Sequence, residues 1–247
     1  MIEKEVFAIK CASYRESEAA VAELFKMMGG GGIFAAEGES LALKANLLFA
    51  AKPEAAATTH PEIVKAVAKI AVEQGAKPFI ADSPGSGYRY DKKNLEKTYR
   101  CTGMLEAARD SGAELNFDCS HKIVSYPHGR MIKRFEIITP ICNADAAFNL
   151  CKLKTHMFTY MTGAVKNTFG VIPGLLKPGY HAKLQDKSRF AAMLLDLAGL
   201  VAARIHIMDA VYAMEGEGPH AGTPRRAGLI LASANPVALD AAAGEII

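Results

Sequence analysis

Short apolar runs alternate along this chain with stretches whose apolar residues recur three and four apart, and that alternation confines the fold more than any single motif. Residues 6–10, 40–49, 77–81, 113–117, 146–151, 205–209 and 228–233 read as strands. Helical patterns lie between them. One runs to Met28 with Ser13 or Ser17 as its cap, one from Thr58 to Gly75, and one from Leu95 to Ser111 with a break near residues 101–103. A further helix spans residues 189–203 behind Asp186 or Ser188, and Asn235-Pro236 opens another. Strands separated by helices imply βαβ units, hence a mainly parallel, Rossmann-like α/β sheet with helices on both faces. Residues 118–136 lack a clear period and read as a hairpin or surface excursion, with His121 and His128 exposed.

Chemistry-bearing side chains concentrate in residues 152–174, KLKTHMFTYMTGAVKNTFGVIPG. No Asp or Glu occurs between Asp145 and Asp186, while Lys152, Lys154, Lys166, Lys177 and Lys183 place five positive charges there. The chain as a whole carries 29 Lys and Arg against 26 Asp and Glu, so outside this segment it is slightly acidic. A local cationic excess beside buried backbone calls for an anionic partner. A solvated lysine face is the alternative, but these lysines are interleaved with Leu, Met, Phe, Val and Ile and cannot all project from one polar face.

In parallel sheets, ligands sit beyond the carboxyl ends of the strands. Lys44 and Asn46, inside the second run, are either at such an end or satisfied structurally. Asp82-Ser83-Pro84-Gly85-Ser86-Gly87 has the layout of a sheet-edge site and equally the composition of an ordinary turn. Asp82, the 154–156 group and Asp209 each follow a strand, which predicts their convergence on one crevice; Glu215, in the Gly/Pro-rich loop MEGEGPHAGTPRR, is expected there too. His60 precedes Pro61 and is expected to cap a helix, with a ligand-facing role as the other reading. Gly29–Gly32 reads as a turn, since no GxGxxG and no following Lys-Ser/Thr accompany it. Gly179-Tyr180-His181 is expected in a loop.

The site expected from these residues has Lys154 and Lys166 holding a carboxylate or phosphate, with Thr155, Thr162 and Asn167 orienting it. His156 moves a proton, Lys166 and His156 are the catalytic pair, and Lys44, Asn46, Asp82, Ser83, Asp209 and Glu215 complete the lining. Thr162 is expected to cap a short helix from Gly163 whose amides point at the ligand. The acids are expected to pair with Lys154 and Lys166, with a divalent ion bridging them to the anionic ligand as the other reading.

Several classes are excluded. Cys11, Cys101, Cys119, Cys142 and Cys151 are odd in number and contain no CxxC pair, which argues for buried free thiols and against a metal or iron–sulfur site made by this chain alone. A net charge of +3 without an arginine stripe or aromatic RNA motif argues against nucleic acid. Glu3, Lys4 and Glu5 stand where a signal peptide would be basic and then apolar, and no apolar run is long enough to span a bilayer. A cytoplasmic location with no membrane partner is expected. The pattern of the last helix is unbroken at Ile247, which predicts a single domain over residues 1–247 cut short at its C-terminal end.

The order KANLL (44–48), TTHPE (58–62), ADSPG (81–85), KLKTH (152–156), TGAVKNTFGVIPG (162–174), DAVYAMEGEGP (209–219) and NPVALDA (235–241) resembles the domain-of-unknown-function 362 (DUF362) family. The resemblance covers residues 41–247. It implies an α/β domain, often fused to or encoded beside a ferredoxin-type iron–sulfur module, with no agreed reaction and no catalytic residue to carry over. The ferredoxin cysteines are absent from this chain. Two roles therefore follow: part of an iron–sulfur-dependent redox enzyme acting on an anionic small molecule, with the cluster in a missing domain or partner, or a non-catalytic scaffold holding a ligand or cofactor for an electron-transfer partner.

Overall fold

The structure, a computed structural model, describes residues 5–247. Glu3 and Lys4, on which the signal-peptide argument draws, lie outside them. The chain runs β1 (Phe7–Lys10), α1 (Ser17–Met27), β2 (Ser40–Lys44), α2 (Pro61–Glu73), β3 (Lys77–Ala81), α3 (Lys92–Cys101), α4 (Met104–Ser111) and β4 (Glu114–Leu115). A hairpin follows, β5 (His121–Ser125) and β6 (Arg134–Ile138), then α5 (Thr139–Asn143), β7 (Ala146–His156), β8 (Tyr160–Thr162) and α6 (Ala164–Asn167). The last elements are α7 (Lys177–Lys183), α8 (Lys187–Val201), β9 (Ile205–Glu215), β10 (Thr223–Ser233) and α9 (Pro236–Gly244).

The main sheet has the order β1-β10-β9-β7-β2-β3-β4. From β9 across β7, β2 and β3 to β4 every neighbour is parallel, whereas β10 and β1 extend the β9 side antiparallel. The predicted mainly parallel α/β sheet is therefore what forms. Apolar side chains of α1, α2, α3 and α4 pack on one face, with Phe148, Leu150, Ile205 and Ile207 beneath them. Phe190, Met193, Leu194 and Leu197 of α8 cover the other face together with Phe135 and Ile137 of the hairpin. The chain steps outward from β2 to β3 to β4 and then returns to place β7 on the other side of β2, so the strand order reverses between β2 and β7. Such a switch point opens a crevice at the carboxyl ends of the strands.

Several boundaries differ from expectation. β2 stops at Lys44 because the next amides leave the ladder: Asn46 N donates to Thr59 Oγ1 (3.0 Å) and Leu47 N to Asp82 Oδ2 (2.7 Å). β7 and β9 run on beyond their apolar stretches, and β10 begins at Thr223 rather than near Gly228, because β9 pairs with β7 on one side and β10 on the other out to the rim. Glu16, after a single 3-10 turn, occupies the N-cap of α1 with no side-chain bond to the helix amides, so neither Ser13 nor Ser17 caps it. Gly179, Tyr180 and His181 are helical in α7, and α9 ends at Gly244. Cys11 and Cys151 are buried as free thiols, whereas Cys101, at the solvent-facing end of α3, is exposed.

Candidate functional site

The carboxyl ends of β2, β3 and β7 open into a cavity of about 400 Å³. That is within the size range of small-molecule sites. Asn46 enters it from the end of β2, Asp82 and Ser83 from β3, and Lys154 and His156 from β7; Thr162, Lys166 and Asn167 come from β8 and α6, and Lys177 and His181 from α7. Lys154 and His156, two positions apart, share a face of β7, as the strand period requires. His220 closes one side from the β9–β10 loop, where its Nε2 meets Ser86 Oγ.

Behind the lining is a buried ladder of amides. Asn167 donates to Asn149 Oδ1 at 2.7 Å and accepts from Asn46 Nδ2 at 2.9 Å, while Asn149 Nδ2 reaches Ala164 O and His206 Nδ1, each at 2.8 Å. Asn46 Oδ1 in turn accepts from Lys154 Nζ at 3.1 Å, and Lys154 also donates to Ala57 O. Satisfied in this way, a polar network fixes its members rather than weakening the core. Lys44 lies under the cavity floor, paired with Asp82 at 2.9 Å. A β-carbon at Gly170 would overlap both Asp82 Oδ1 and Lys44 Nζ, which explains the glycine in the FGVIPG motif.

Charge in the cavity is one-sided. Asp82 is its only lining carboxylate, and Lys154, Lys166 and Lys177 form no ion pair among the described residues. Burial, then the nearby Lys166 and Lys152, holds the Lys154 amine well below its ordinary range. Burial and Lys44 bring Lys166 to about 8, and burial brings Lys177 to about 7 against the pull of Asp82. Burial lowers His156 to about 3, with Lys166 and Lys154 adding to it, and burial with Lys166 lowers His181 to about 4. An empty cavity that disfavours its own cations is one in which a bound anion would be strongly compensated.

Other expected members lie elsewhere. Lys152 and Asp209 form a separate closed pair at 2.8 Å, with Tyr14 Oη between them, bonded by Lys152 at 2.9 Å and donating to Asp209 at 3.0 Å. The Tyr14 ring stacks on His60 at 3.4 Å between centroids, and His60 caps α2 by accepting from Glu62 N. Asp209 is thereby withdrawn from the crevice. Lys152 lies opposite Asp209 on β9, whereas Lys154, two residues further along the same face of β7 and past the register shift, reaches the cavity. Thr155, on the other side of the strand, donates to Gly216 O at 2.9 Å, and Glu215 pairs with Arg225 at the surface. The acids pair with Lys44, Lys152 and Arg225, not with Lys154 or Lys166.

Nor does Thr162 cap α6. Asp240 of α9 accepts from Ala164 N (2.5 Å) and Val165 N (3.0 Å), so the first amides of that short helix point at a carboxylate of the protein itself. A β-carbon at Gly163 would strike the same carboxylate. In His156, Nδ1 accepts from Phe158 N at 3.1 Å, which leaves Nε2–H as a donor towards an oxygen. Lys177, His181 and His220 were not foreseen as lining residues. Only the lack of acids around Lys177 marked it in the sequence. Among the described residues no three His, Cys, Asp or Glu side chains group closely enough to hold a metal ion, and no helix is long and apolar enough to cross a membrane.

A family model described as a domain of unknown function, DUF362, matches residues 41–245. A thylakoid-associated protein of Synechocystis sp. is 34% identical over 252 aligned positions, covering 99% of this chain and 74% of that protein. Among solved structures, the lactate racemase apoprotein of Thermoanaerobacterium thermosaccharolyticum shares the fold with a TM-score of 0.55 at 11% identity, over 96% of this chain and 55% of that one. A Thermotoga maritima protein does so with a TM-score of 0.56 at 10% identity, over 96% of this chain and 60% of that one. The chain thus spans little more than half of either solved chain, and at such identities the likeness is one of fold.

Proposed function

The chain belongs to the DUF362 family, and on that premise we propose that its domain binds an anionic small molecule, a carboxylate or phosphate, in the cavity at the carboxyl edge of the sheet. One observation carries this reading: Lys154, Lys166 and Lys177 line a cavity whose single carboxylate, Asp82, is already paired with Lys44. Apolar walls from Leu48, Phe158 and Phe169 lower the local dielectric and strengthen attraction to a guest anion. Backbone carbonyls hold Lys154 and Lys177 in place, so little ordering is left for the ligand to impose.

Titration calorimetry with inorganic phosphate and with propionate tests the reading. Saturable binding of either, weakened by Lys177→Met, supports it. Failure of both anions to bind the folded protein rejects it.

The redox setting belongs to the same proposal: an iron–sulfur module of the ferredoxin type, outside these residues, supplies electrons to the bound molecule. Its support is the family resemblance, and pull-down of a cluster-bearing partner with the tagged protein is its test. The cytoplasmic location is proposed likewise, and the thylakoid association named for the relative makes cell fractionation the deciding measurement.

A further inference from the structure

We propose that the ε-amine of Lys166 condenses with the carbonyl of a 2-oxo acid held in the cavity, forming an imine while Lys154 and Lys177 hold the acid's carboxylate. This rests on the anion-binding reading and adds a covalent step to it.

The three amines of the cavity are not equivalent. Lys154 donates to Asn46 Oδ1 and Ala57 O, and Lys177 to Ser83 O at 2.6 Å, so both remain donors aimed from fixed positions. Lys166 Nζ has neither a hydrogen-bond partner nor a carboxylate among the described residues. It lies over the rings of Phe169 and Phe190, 4.6 and 5.8 Å from their centroids. A lysine in an apolar site beside other cations is the standard setting for an amine nucleophile, because burial and the neighbouring positive charge both disfavour its protonated form. Its value of about 8 leaves a reactive fraction of free amine near neutral pH. The backbone that carries it is anchored by the bonds from Ala164 N and Val165 N to Asp240.

Binding of a carboxylate by its neighbours would bring an adjacent carbonyl to Lys166. His156 Nε2–H is the free donor for that carbonyl's oxygen, since Nδ1 is taken. The nitrogen lone pair forms a C–N bond, and the oxygen leaves as water with the two hydrogens lost by the amine. Amine and carbonyl thus give imine and water, with nothing oxidised or reduced. Leu48, Phe158 and Phe169 provide the wall for the acid's apolar substituent.

Borohydride trapping tests the step. The protein is incubated with pyruvate or phenylpyruvate, reduced with sodium borohydride, digested and mapped by mass spectrometry. The expected result is one adduct per chain on Lys166, heavier by the oxo acid less one oxygen, and suppressed by excess propionate, which has the carboxylate but no ketone. Lys166→Arg is expected to lose the adduct while still binding propionate; should that variant not fold, the wild-type map decides. Adducts on Lys154, on Lys177 or scattered over surface lysines would overturn the assignment. Absence of any adduct while pyruvate and propionate bind calorimetrically would overturn the covalent step and leave the anion site standing, whereas absence of binding would remove both.

Discussion

Lys44 Nζ stands 2.9 Å from Asp82 Oδ1, with both side chains closed off from solvent, so the one carboxylate facing the cavity is neutralised from behind. The pair therefore sets the sign of the site. Asp82 also accepts from Leu47 N at 2.7 Å and Ser83 N at 2.9 Å, which ties the ends of β2 and β3 together.

Lys44→Met should destabilise the fold by about 3–5 kcal/mol, the range for removing one partner of a buried ion pair, because Asp82 is left with only its amide donors. Lys44→Met with Asp82→Asn should recover much of that loss. Urea unfolding of the two variants checks this, and equal destabilisation in both would contradict it.

How much of this was legible beforehand depends on the range of the interaction. The sheet was, since β2, β3, β7 and β9 each announce themselves in a few consecutive residues, with helical patterns between one and the next. The cationic character of residues 152–183 was legible from the absence of acids. What no local pattern reports is which lysine is already spoken for. Lys152 and Lys154 look alike in the sequence, yet the first lies opposite Asp209 and pairs with it, while the second, one step further along the same face, reaches the cavity. The same limit hid Asp240, 76 residues from the amide it caps, and His220, which reaches the cavity from a loop.

Acid should unfold this protein through its histidines. His156 is held at about 3, and His60, His181 and His206 at about 4, all chiefly by burial, whereas an unfolded histidine titrates near 6.5. As pH falls from about 6.5 towards 4 the unfolded chain takes up protons that the folded one refuses, so stability declines through that window and is unaffected by these groups above it. For His206, the most enclosed, the full shift corresponds to roughly 3 kcal/mol. Melting temperatures between pH 4 and 8 check the prediction. A flat profile down to pH 4.5 would refute it, and His206→Gln should flatten part of the slope.

Asp240→Ala should loosen the site from a distance. It strands the amides of Ala164 and Val165, at about 1–3 kcal/mol for each buried donor left unpaired, and frees the helix that carries Lys166 and Asn167. Lower stability together with weaker propionate binding is expected. Asp240→Asn, which keeps an acceptor oxygen, should fall between the variant and wild type in both measurements.

Lys166→Met should separate binding from folding. The methionine stem preserves contact with Phe169 and Phe190, and no hydrogen bond is lost, so the unfolding midpoint should barely move. Propionate carries no ketone, so its carboxylate is free to meet Lys166 as well as Lys154 and Lys177, and its affinity should fall by about 1.5–3 kcal/mol, the worth of a hydrogen bond to a charged group. Calorimetry and urea titration of one preparation read both. Unfolding with unaltered affinity in the folded fraction would make the lysine structural.

Finally, anion binding should strengthen as the pH is lowered from 9 to 6. In the empty cavity Lys177 titrates at about 7 and Lys166 at about 8, both pushed down by burial, so at pH 9 much of the positive charge is absent. A bound carboxylate favours the ammonium forms and raises both values, so binding takes up protons across this interval and the affinity gained on acidification is the linked quantity. Each group contributes up to about tenfold per pH unit while it titrates, following the 1.36 kcal/mol equivalence of one pKa unit. Propionate suits the measurement because it stays ionised throughout, and calorimetry in two buffers of different ionisation enthalpy counts the protons directly. The step near 8 should vanish in Lys166→Met and the step near 7 in Lys177→Met. Affinity independent of pH, with no proton uptake, would mean that these lysines do not meet the anion.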